Sequence, residues 1–393
     1  MRTLSILAVS CSVLGLVACV FAAPPGPSFY GDPPDEHHPW AVHDPHRSKP
    51  AVVTPGTPST QDQPGKAPSD AIILFDGTDL SKWEADKPQP EPTKWVVKDG
   101  AMECVPGSGY VRTKEKLGDC QLHVEWAAPK DVKGSDQGRG NSGVFIMGVE
   151  IQVLDNYNNP TYADGYASAV YGVMPPMANA LRGPGEFNSY DIVFRRPVYK
   201  DAQCLDPGYV TVIVNGVLVQ DHTPLEGATG HRSRSKASPL GDSGPLKFQD
   251  HGNPVRFRNV WYRPLPPRPV EGGTDGCLSA EAATAKRKEI AAGLREQAEK
   301  EKQATPLPEM LRLMESLQYE QDDATMQKVQ TLATIYVESI KALDGDKLAA
   351  KKDEVKQVNG AFGALARFKN LPADFAPKAE IEKIIKAQGW DKK

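Results

Sequence analysis

The sequence predicts a mainly β protein, in which an antiparallel β-sandwich is followed by a small C-terminal α-helical domain. Between residues 70 and 265, short alternating runs of apolar and polar residues are separated by Gly, Pro, Asn and Asp. No helical pattern intervenes, and consecutive strands of this kind pair antiparallel and pack as sandwiches. Beyond Gly272-Gly273 the alternation stops, and Ala, Glu, Lys and Arg dominate at helical spacing.

The strands can be placed in chain order from their alternation. Residues 71–75 are apolar and end at Asp76-Gly77, which is a turn signal. In residues 121–126, the side chains of Leu122, Val124 and Trp126 share one face. The same alternation marks residues 144–147, 150–154, 190–195 and 255–261.

Residues 210–219 give the strongest hairpin signal in the chain. Two apolar runs, 210–214 and 217–219, flank Asn215-Gly216. Asn-Gly supplies the positive φ values that a two-residue turn requires, so we expect adjacent antiparallel strands here.

The first 22 residues predict a secretory signal peptide. A charged start is followed by an apolar run and an exit of small residues, a layout that is too short and poorly flanked for a spanning helix. Residues 16–19 also read as a bacterial lipoprotein box, which would leave a lipidated Cys19. Simple secretion is favoured because apolar Val20-Phe21 follows that cysteine. Both alternatives predict export to the periplasm or the extracellular space.

Three further segments complete the predicted organisation. Residues 23–67 are rich in Pro, His, Ser, Thr and Gln and predict a disordered tether. Residues 68–266 form the predicted sandwich. Residues 267–393 form a helical accessory domain in which the sequence shows no chemistry, with helices expected near 280–304, 310–317, 326–343, 348–368 and 379–388.

Composition excludes several classes of protein. Lys and Arg number 46 against 50 Asp and Glu, so the net charge is −4 and the footprint of a nucleic-acid-binding protein is absent. Beyond the leader no transmembrane span is expected. The four remaining cysteines, Cys104, Cys120, Cys204 and Cys277, match no zinc spacing, and three disulfide pairings stay open beside free buried thiols.

Polar residues that could carry chemistry begin in a glycine-rich loop, residues 137–143. It lacks the Gly-Lys-Ser/Thr of a phosphate loop, and it presents Arg139 and Asn141 at the entry to a strand. In the next strand, alternation places Glu150 and Gln152 on one face and apolar residues on the other. Glu150 and Gln152, side by side near Arg139, predict a ligand floor.

Glu150 and Asp155 do not fit the local carboxylate pair of an ordinary glycosidase. Five residues of strand span about 16 Å, and the two side chains point to opposite faces. Glycosidase pairs lie about 5–10 Å apart. A partner from another strand, such as Glu125, stays open.

Two loops supply further candidates. Residues 156–165 are rich in amides and aromatics and lead to Tyr171-Gly172. Amides match sugar hydroxyls, and aromatic rings match the apolar sugar faces. Asp250-His251 lies in a glycine-flanked loop and offers a group that titrates near neutrality.

Residues 73–83, which read Ile-Leu-Phe-Asp-Gly-Thr-Asp-Leu-Ser-Lys-Trp, resemble the opening motif of the 3-keto-disaccharide hydrolase family. Further motifs follow in that family's order, at residues 95–100, 138–145, 150–155, 171–172, 188–194, 215–216 and 251–261. The resemblance covers residues 70–265. It implies a concanavalin A-like β-sandwich, or jelly roll, and an enzyme for glycosides that an upstream sugar 3-oxidoreductase has oxidised at C3.

The chemistry that this resemblance implies needs one base, one acid and a stabiliser of enolate charge. A 3-ketone acidifies the C2 proton, so that a base forms an enolate, the C1 oxygen is expelled and water then adds. We expect Glu150 and His251 to transfer protons and Arg139 to stabilise the enolate. A divalent metal is an alternative to the arginine, although no ligand spacing demonstrates one, and no other cofactor is expected. The remaining candidates, expected to bind hydroxyls or to orient His251, are Asn141, Gln152, Tyr171 and Asp250.

Two other functions stay open from the sequence. The same sandwich serves lectins, so the protein could be a non-catalytic carbohydrate-binding module. It could also be a conventional two-carboxylate glycosidase that pairs Glu150 with a carboxylate such as Glu125. Release of free sugar from native or from 3-keto substrates would separate the three functions.

Overall fold

The structure is a computed structural model, and it describes residues 26–200, 202–225, 227–266, 273–274, 277–302 and 305–391. It forms two compact units. One runs from Pro50 to Thr274, and the other combines the described residues up to Lys49 with those that follow Asp275. The predicted signal peptide and Cys19 lie outside the described residues. No helix within the described ranges is long and apolar enough to cross a membrane.

Strands make up almost all of the regular secondary structure of the first unit, as the alternating runs predict. Two 3-10 helices, Asp136–Gly138 and Ala163–Gly165, interrupt the loops. The strands are β1 (Ile72–Phe75), β2 (Trp83–Ala85), β3 (Val96–Lys98), β4 (Ala101–Glu103), β5 (Val111–Leu117), β6 (Cys120–Ala127), β7 (Ser142–Ile146), β8 (Val149–Val153), β9 (Asn188–Arg195), β10 (Val198–Lys200), β11 (Gln203–Asp206), β12 (Tyr209–Val214), β13 (Val217–Pro224), β14 (Gly244–Phe248), β15 (Arg256–Pro264) and β16 (Gly273–Thr274).

These strands form two principal antiparallel sheets. The larger has eight strands in the order β13-β12-β9-β6-β15-β4-β3, with β1 also paired to β15. The smaller has five strands in the order β2-β5-β14-β7-β8. The predicted hairpin joins β12 to β13, and Asn215 and Gly216 adopt φ values of 50° and 83°. Positive φ at both positions is what this turn requires.

One hydrophobic core lies between the two sheets. Leu122, Val124 and Trp126 enter it from β6, whereas Val149 and Ile151 enter it from β8. β6 and β8 therefore each turn one face to the core and the other away from it, which is the pattern of a sandwich. The mainly β sandwich followed by a helical region is confirmed.

The helical unit has its own core. Its elements are β17 (Cys277–Leu278), α1 (Ala280–Lys300), α2 (Leu307–Ser316), α3 (Asp323–Lys341), α4 (Gly345–Ala349), α5 (Lys352–Arg367) and α6 (Ala376–Ala387). Apolar side chains at helical spacing meet in one cluster, among them Met310, Val329 and Phe362. This agrees with helices that bury one face and solvate the other.

The predicted tether differs from the structure. His46 Nε2 lies 2.9 Å from Glu315 Oε1 in the helical unit. Residues 57–66, which we call the covering loop, lie against the eight-stranded sheet, where Gln61 exchanges two hydrogen bonds with the backbone of Phe187. The segment is too poor in apolar residues to fold alone, but it satisfies polar groups of units that are already folded. The low apolar content can be read from the sequence, whereas the hydrogen bonds to folded units cannot.

The described cysteine side chains form no disulfide. Cys104 and Cys120 are buried free thiols, and Cys204 is an exposed free thiol. Burial raises the pKa of Cys120 to about 12, so it stays a neutral thiol within the core. For Cys104 and Cys120 the structure agrees with buried thiols, which was one of the alternatives left open.

Candidate functional site

The floor of the candidate site is the outer face of the β7–β8 pair. In the register of these strands Gly143 faces Gln152 and Phe145 faces Glu150. Ile151 lies between the two polar residues and points into the core. Alternation therefore places Glu150 and Gln152 on the same outward face, as the strand period requires.

Glu150 is a buried carboxyl group with no charged partner. The residue is 7% exposed. Among the described residues, none donates a hydrogen bond to its carboxylate and none forms an ion pair with it. Burial alone raises the pKa of Glu150 to about 8, because desolvation disfavours the charged form. A carboxyl with such a pKa exchanges a proton near neutral pH.

Gly143 makes room for this carboxyl group. A Cβ atom at Gly143 would lie 2.5 Å from Glu150 Oε1 and 2.8 Å from Cε2 of Phe145. Both distances are far shorter than real contacts, so a side chain at Gly143 would displace Glu150. This glycine of the predicted loop therefore positions a side chain.

Three amide side chains cover the floor beside Glu150. Gln152 Nε2 lies 3.3 Å from Asn141 Oδ1 and 3.3 Å from Gln137 Oε1. Asn141 Nδ2 donates to the carbonyl oxygen of Gln137 at 2.7 Å. The sequence predicts Gln152 for this floor and Asn141 at the entry to the neighbouring strand, whereas Gln137 has no signal of its own within its loop. Together they present donors and acceptors that suit sugar hydroxyls.

Above this floor lies a cavity of about 410 Å³. That volume falls in the range of about 300–1,000 Å³ that is usual for small-molecule sites. Glu150, Asn141, Gln152, Tyr171 and His251, five of the predicted site residues, line it together. The other lining residues are Tyr110, Gln137, Phe145, Tyr162, Thr229, Gly230, His231 and Gln249.

One wall of the cavity is built from two tyrosines and a histidine. Tyr171 Oη lies 2.9 Å from Tyr162 Oη and 3.1 Å from His231 Nδ1. A second cavity of about 580 Å³ shares these three residues with the first, so the two form one groove. Sequence reasoning missed His231, because it lies in a loop of Gly, Ser and Arg whose pattern carries no signal.

The expected role of Arg139 does not fit its position. Its Nε donates to Asp155 Oδ2 at 2.7 Å, and its Nη2 donates to the carbonyl oxygen of Tyr157 at 3.0 Å. Arg139 does not line the cavity that holds Glu150. The residue follows a 3-10 helix in extended conformation, and its side chain binds the segment that follows β8. Its charge is already neutralised by a buried carboxylate.

Asp250 also differs from its expected role. One of its carboxylate oxygens accepts from the amide of Gly109 and the other from the amide of Gly252, both at 2.9 Å. Desolvation would raise the pKa of Asp250, but these hydrogen bonds lower it. Asp250 thus fixes the loop backbone and neither touches the His251 ring nor lines the cavity. His251 itself is exposed at the cavity rim.

Glu125 cannot partner Glu150. Glu125 lies on β6 in the eight-stranded sheet, and Glu150 lies on β8 in the five-stranded sheet. Both side chains are on the faces opposite the shared core. Glu125 is paired with Arg258 Nε at 2.7 Å. The two-carboxylate alternative that used Glu125 is therefore wrong.

The residues of the cavity do not fit a metal ion. In the part of the chain that the structure describes, no group of three or more His, Cys, Asp and Glu side chains is arranged to hold one. Glu150 is the single carboxylate among the lining residues. Hard divalent ions prefer several oxygen ligands.

Comparison with known proteins agrees with this fold. Residues 70–263 match the family described as the 3-keto-alpha-glucoside-1,2-lyase-like domain. A 3-keto-disaccharide hydrolase of Bacteroides thetaiotaomicron is 24% identical over 243 residues, which cover 49% of this chain and 78% of the relative. The crystal structure of a candidate glycosyl hydrolase from Parabacteroides distasonis is similar with a TM-score of 0.53 and 44% identity, covering 56% of this chain and 93% of that chain. Residues 70–263 of the chain belong to the 3-keto-alpha-glucoside-1,2-lyase-like family.

Proposed function

We propose that the protein is an enzyme that cleaves 3-keto-glycosides, including 3-keto-disaccharides, by C2 proton abstraction, elimination of the C1 oxygen and hydration. Family membership supports a hydrolase or lyase. The observation that carries the mechanism is Glu150, a solitary carboxyl with a pKa raised to about 8 by burial, in an amide-lined cavity. An ordinary glycosidase needs two carboxylates, whereas an elimination needs one base.

The chemistry follows from the ketone. A carbonyl at C3 stabilises the negative charge that forms when C2 loses its proton. Glu150 takes that proton, and the electron pair of the enolate then expels the oxygen bonded to C1. A base is most effective when its pKa lies near the working pH, and burial gives the carboxyl of Glu150 such a value.

The other cavity residues bind the sugar. Asn141 and Gln152 offer amide groups to hydroxyls at the floor, and the Tyr171 ring offers an apolar face at the wall. His251 lies at the rim with its ring free of hydrogen bonds to the described residues. We assign His251 the second proton-transfer role that the sequence suggested, now at the cavity edge.

The proposal extends to cellular context. The leader over residues 1–22 would carry the enzyme out of the cytoplasm, as a free protein or through a lipid on Cys19. A sugar 3-oxidoreductase must supply the ketone, since native glycosides have no acidic C2 proton. Fractionation of cells that express the full chain, with and without Cys19→Ala, would test the export and the anchor.

The central experiment compares substrates and one isosteric variant. The protein is incubated with trehalose or sucrose and with their 3-keto forms, and free sugar is measured. We expect release only from the oxidised compounds and no release with Glu150→Gln, which has the same shape but cannot accept the proton. Release from native sugars would show a conventional glycosidase. Binding without release would show a carbohydrate-binding module.

A further inference from the structure

The Tyr171 hydroxyl is the centre of a hydrogen-bond relay beside Glu150. It contacts Tyr162 Oη at 2.9 Å and His231 Nδ1 at 3.1 Å. The rings of Tyr171 and His231 are nearly parallel, at 11°. A phenol whose oxygen accepts hydrogen bonds from a second phenol and an imidazole can give up its proton, because those donors stabilise the phenolate.

The backbone fixes this relay relative to Glu150. The amide of Tyr171 donates to the carbonyl oxygen of Glu150 at 3.1 Å. The amide of Glu150 in turn donates to Thr229 Oγ1 at 3.0 Å. Thr229 precedes His231 by two residues. The segments that carry Tyr171 and His231 are therefore both hydrogen-bonded to the backbone of Glu150. Short anchored segments hold reacting groups in place.

We propose that Tyr171 is a catalytic acid, supported by His231, which protonates the C1 oxygen as it leaves. This inference rests on the proposed function and deepens it by naming the acid. Protonation of the leaving oxygen is thus assigned to Tyr171, and His251 keeps a proton-transfer role at the rim of the cavity. The oxygen that leaves C1 gains negative charge, so it needs a proton donor among the residues of the cavity.

The protons and electrons of the step balance. Glu150 takes the C2 proton, a C1–C2 double bond forms, and the C1–O bond breaks with its electron pair on oxygen. That oxygen takes the Tyr171 proton, and the resulting phenolate accepts hydrogen bonds from Tyr162 Oη and His231 Nδ1. In the hydration, water adds to C1 and gives a proton to the Tyr171 phenolate, while Glu150 returns its proton to C2. Both groups are restored.

Tyr162 supports the same relay from the other side. Burial raises the pKa of Tyr162 well above its ordinary value, and its hydrogen bond with Tyr171 raises it further. Tyr162 therefore stays a phenol and donates to Tyr171 Oη. A donor at that oxygen stabilises the phenolate that exists briefly after proton transfer.

The test uses leaving groups of different basicity. An acid matters when the leaving oxygen is strongly basic, as in 3-keto-trehalose, and hardly matters for a 4-nitrophenyl 3-keto-glucoside. We expect Tyr171→Phe to lower kcat on 3-keto-trehalose about 100-fold or more and to change kcat on the nitrophenyl substrate less than about 5-fold. His231→Gln should show the same split with a smaller loss. Exchange of the C2 hydrogen with deuterated solvent should continue in both variants.

A second stacked tyrosine–histidine pair provides matched controls. Tyr209 and His222 have ring centroids 3.6 Å apart on β12 and β13, in the other sheet. Tyr209→Phe and His222→Gln should keep full activity on both substrates. Equal losses on both substrates in Tyr171→Phe and His231→Gln, or loss of C2 exchange in either, would overturn the inference. C2 exchange that survives in Glu150→Gln would instead overturn the proposed function.

Discussion

The carboxyl group of Glu150 lies directly over Gly143 on the neighbouring strand. A Cβ atom there would lie 2.5 Å from Glu150 Oε1. The strand register places Gln152 opposite Gly143 and Glu150 opposite Phe145, so the Glu150 side chain crosses diagonally over the glycine. The carboxyl is held by shape, because no described residue holds it by a hydrogen bond. The position of the Glu150 carboxyl and its raised pKa thus have one cause, which is burial against the backbone of Gly143, where no side chain takes up the space.

Gly143→Ala should therefore impair catalysis while preserving the fold. The φ of Gly143 is one that alanine adopts freely, so the added methyl group acts through its clash with Glu150 and Phe145. A displacement of about 1 Å can cost about 100-fold in rate. We expect a loss of kcat of that order on 3-keto-trehalose. Gly138→Ala is the matched control, since a Cβ there meets no atom within 4 Å. Equal rates for the two variants would contradict this positioning.

The rate should depend on the ionisation of Glu150. Only the carboxylate accepts the C2 proton, and burial raises the pKa of Glu150 to about 8. We expect kcat/KM to rise about tenfold per pH unit below 8 and then to level, because this parameter reports the free enzyme. Four other titratable residues face the same cavity: Tyr110, Tyr171, His231 and His251. The profile is measured at constant ionic strength, so that the screening between these groups and Glu150 does not change with pH. A flat profile between pH 5 and 9 would remove Glu150 from the role of base.

The same pKa predicts how Glu150 affects stability. The carboxyl ionises near 4.5 in the unfolded chain and near 8 in the folded one. Between these values the folded state binds more protons, so the free energy of unfolding falls as pH rises, by at most about 1.4 kcal/mol per unit. Glu150→Gln removes this loss. The free energy of unfolding of this variant should be similar to that of the parent at pH 5 and greater by a few kcal/mol at pH 9. This difference corresponds to about 1.4 kcal/mol for each pH unit between the two pKa values. Chemical denaturation at both pH values measures it, and an equal difference at both would contradict the raised pKa.

The sequence predicts the part of the site that strand alternation controls. Glu150 and Gln152 share a face because residues two apart always do, and the Asn-Gly turn allows one local geometry. These features depend on neighbours in the chain. The glycine-rich loop and the family motifs predict Asn141 and Tyr171 as substrate-binding residues. Both line the same cavity.

What the sequence could not predict depends on contacts between distant segments. The direction of the Arg139 side chain is decided by Asp155, which is buried, and not by the Gly-rich loop around it. His231 reaches Tyr171 across 60 positions. The covering loop looks disordered by composition, but its partners lie on β6 and β15. Such pairings leave no period or spacing in the sequence.

Arg139 should matter for stability and not for the chemical step. Arg139→Met leaves Asp155 buried without its partner, and we expect a loss of about 2–3 kcal/mol, reduced from a fully buried pair because Arg139 reaches solvent. Asp155→Asn in the same chain should recover part of that loss. At a temperature where the variant is folded, kcat should stay within about threefold of the parent. A loss of kcat of about 100-fold at unchanged stability would restore the expected role of Arg139 in stabilising the enolate.

The covering loop should be an integral part of the sandwich. Arg258 is 4% exposed, and its guanidinium donates to the carbonyl oxygens of Thr60 and Gln61. The Ser59 hydroxyl donates to Glu125. Burial would raise the pKa of Glu125, but hydrogen bonds from His123, Ser59 and Asn259 and the charge of Arg258 lower it to about 2. The loop thus completes the solvation of buried charges, which are costly when left unpaired.

Loss of these contacts should be visible in thermal unfolding. In the full chain, Gln61→Ala removes the two side-chain bonds to Phe187, and we expect a loss of about 1–2 kcal/mol. Asp62→Ala, next to it, should change nothing, because no described residue bonds its side chain. Deletion of residues 57–66 should cost more than Gln61→Ala, since Arg258 and Glu125 then lose partners together. Because the pKa of Glu125 is lowered in the folded state, the stability that this carboxylate contributes should disappear as pH falls from about 4.5 to about 2. A deletion variant that unfolds at the parent temperature would show that residues 57–66 are the tether that their composition suggests.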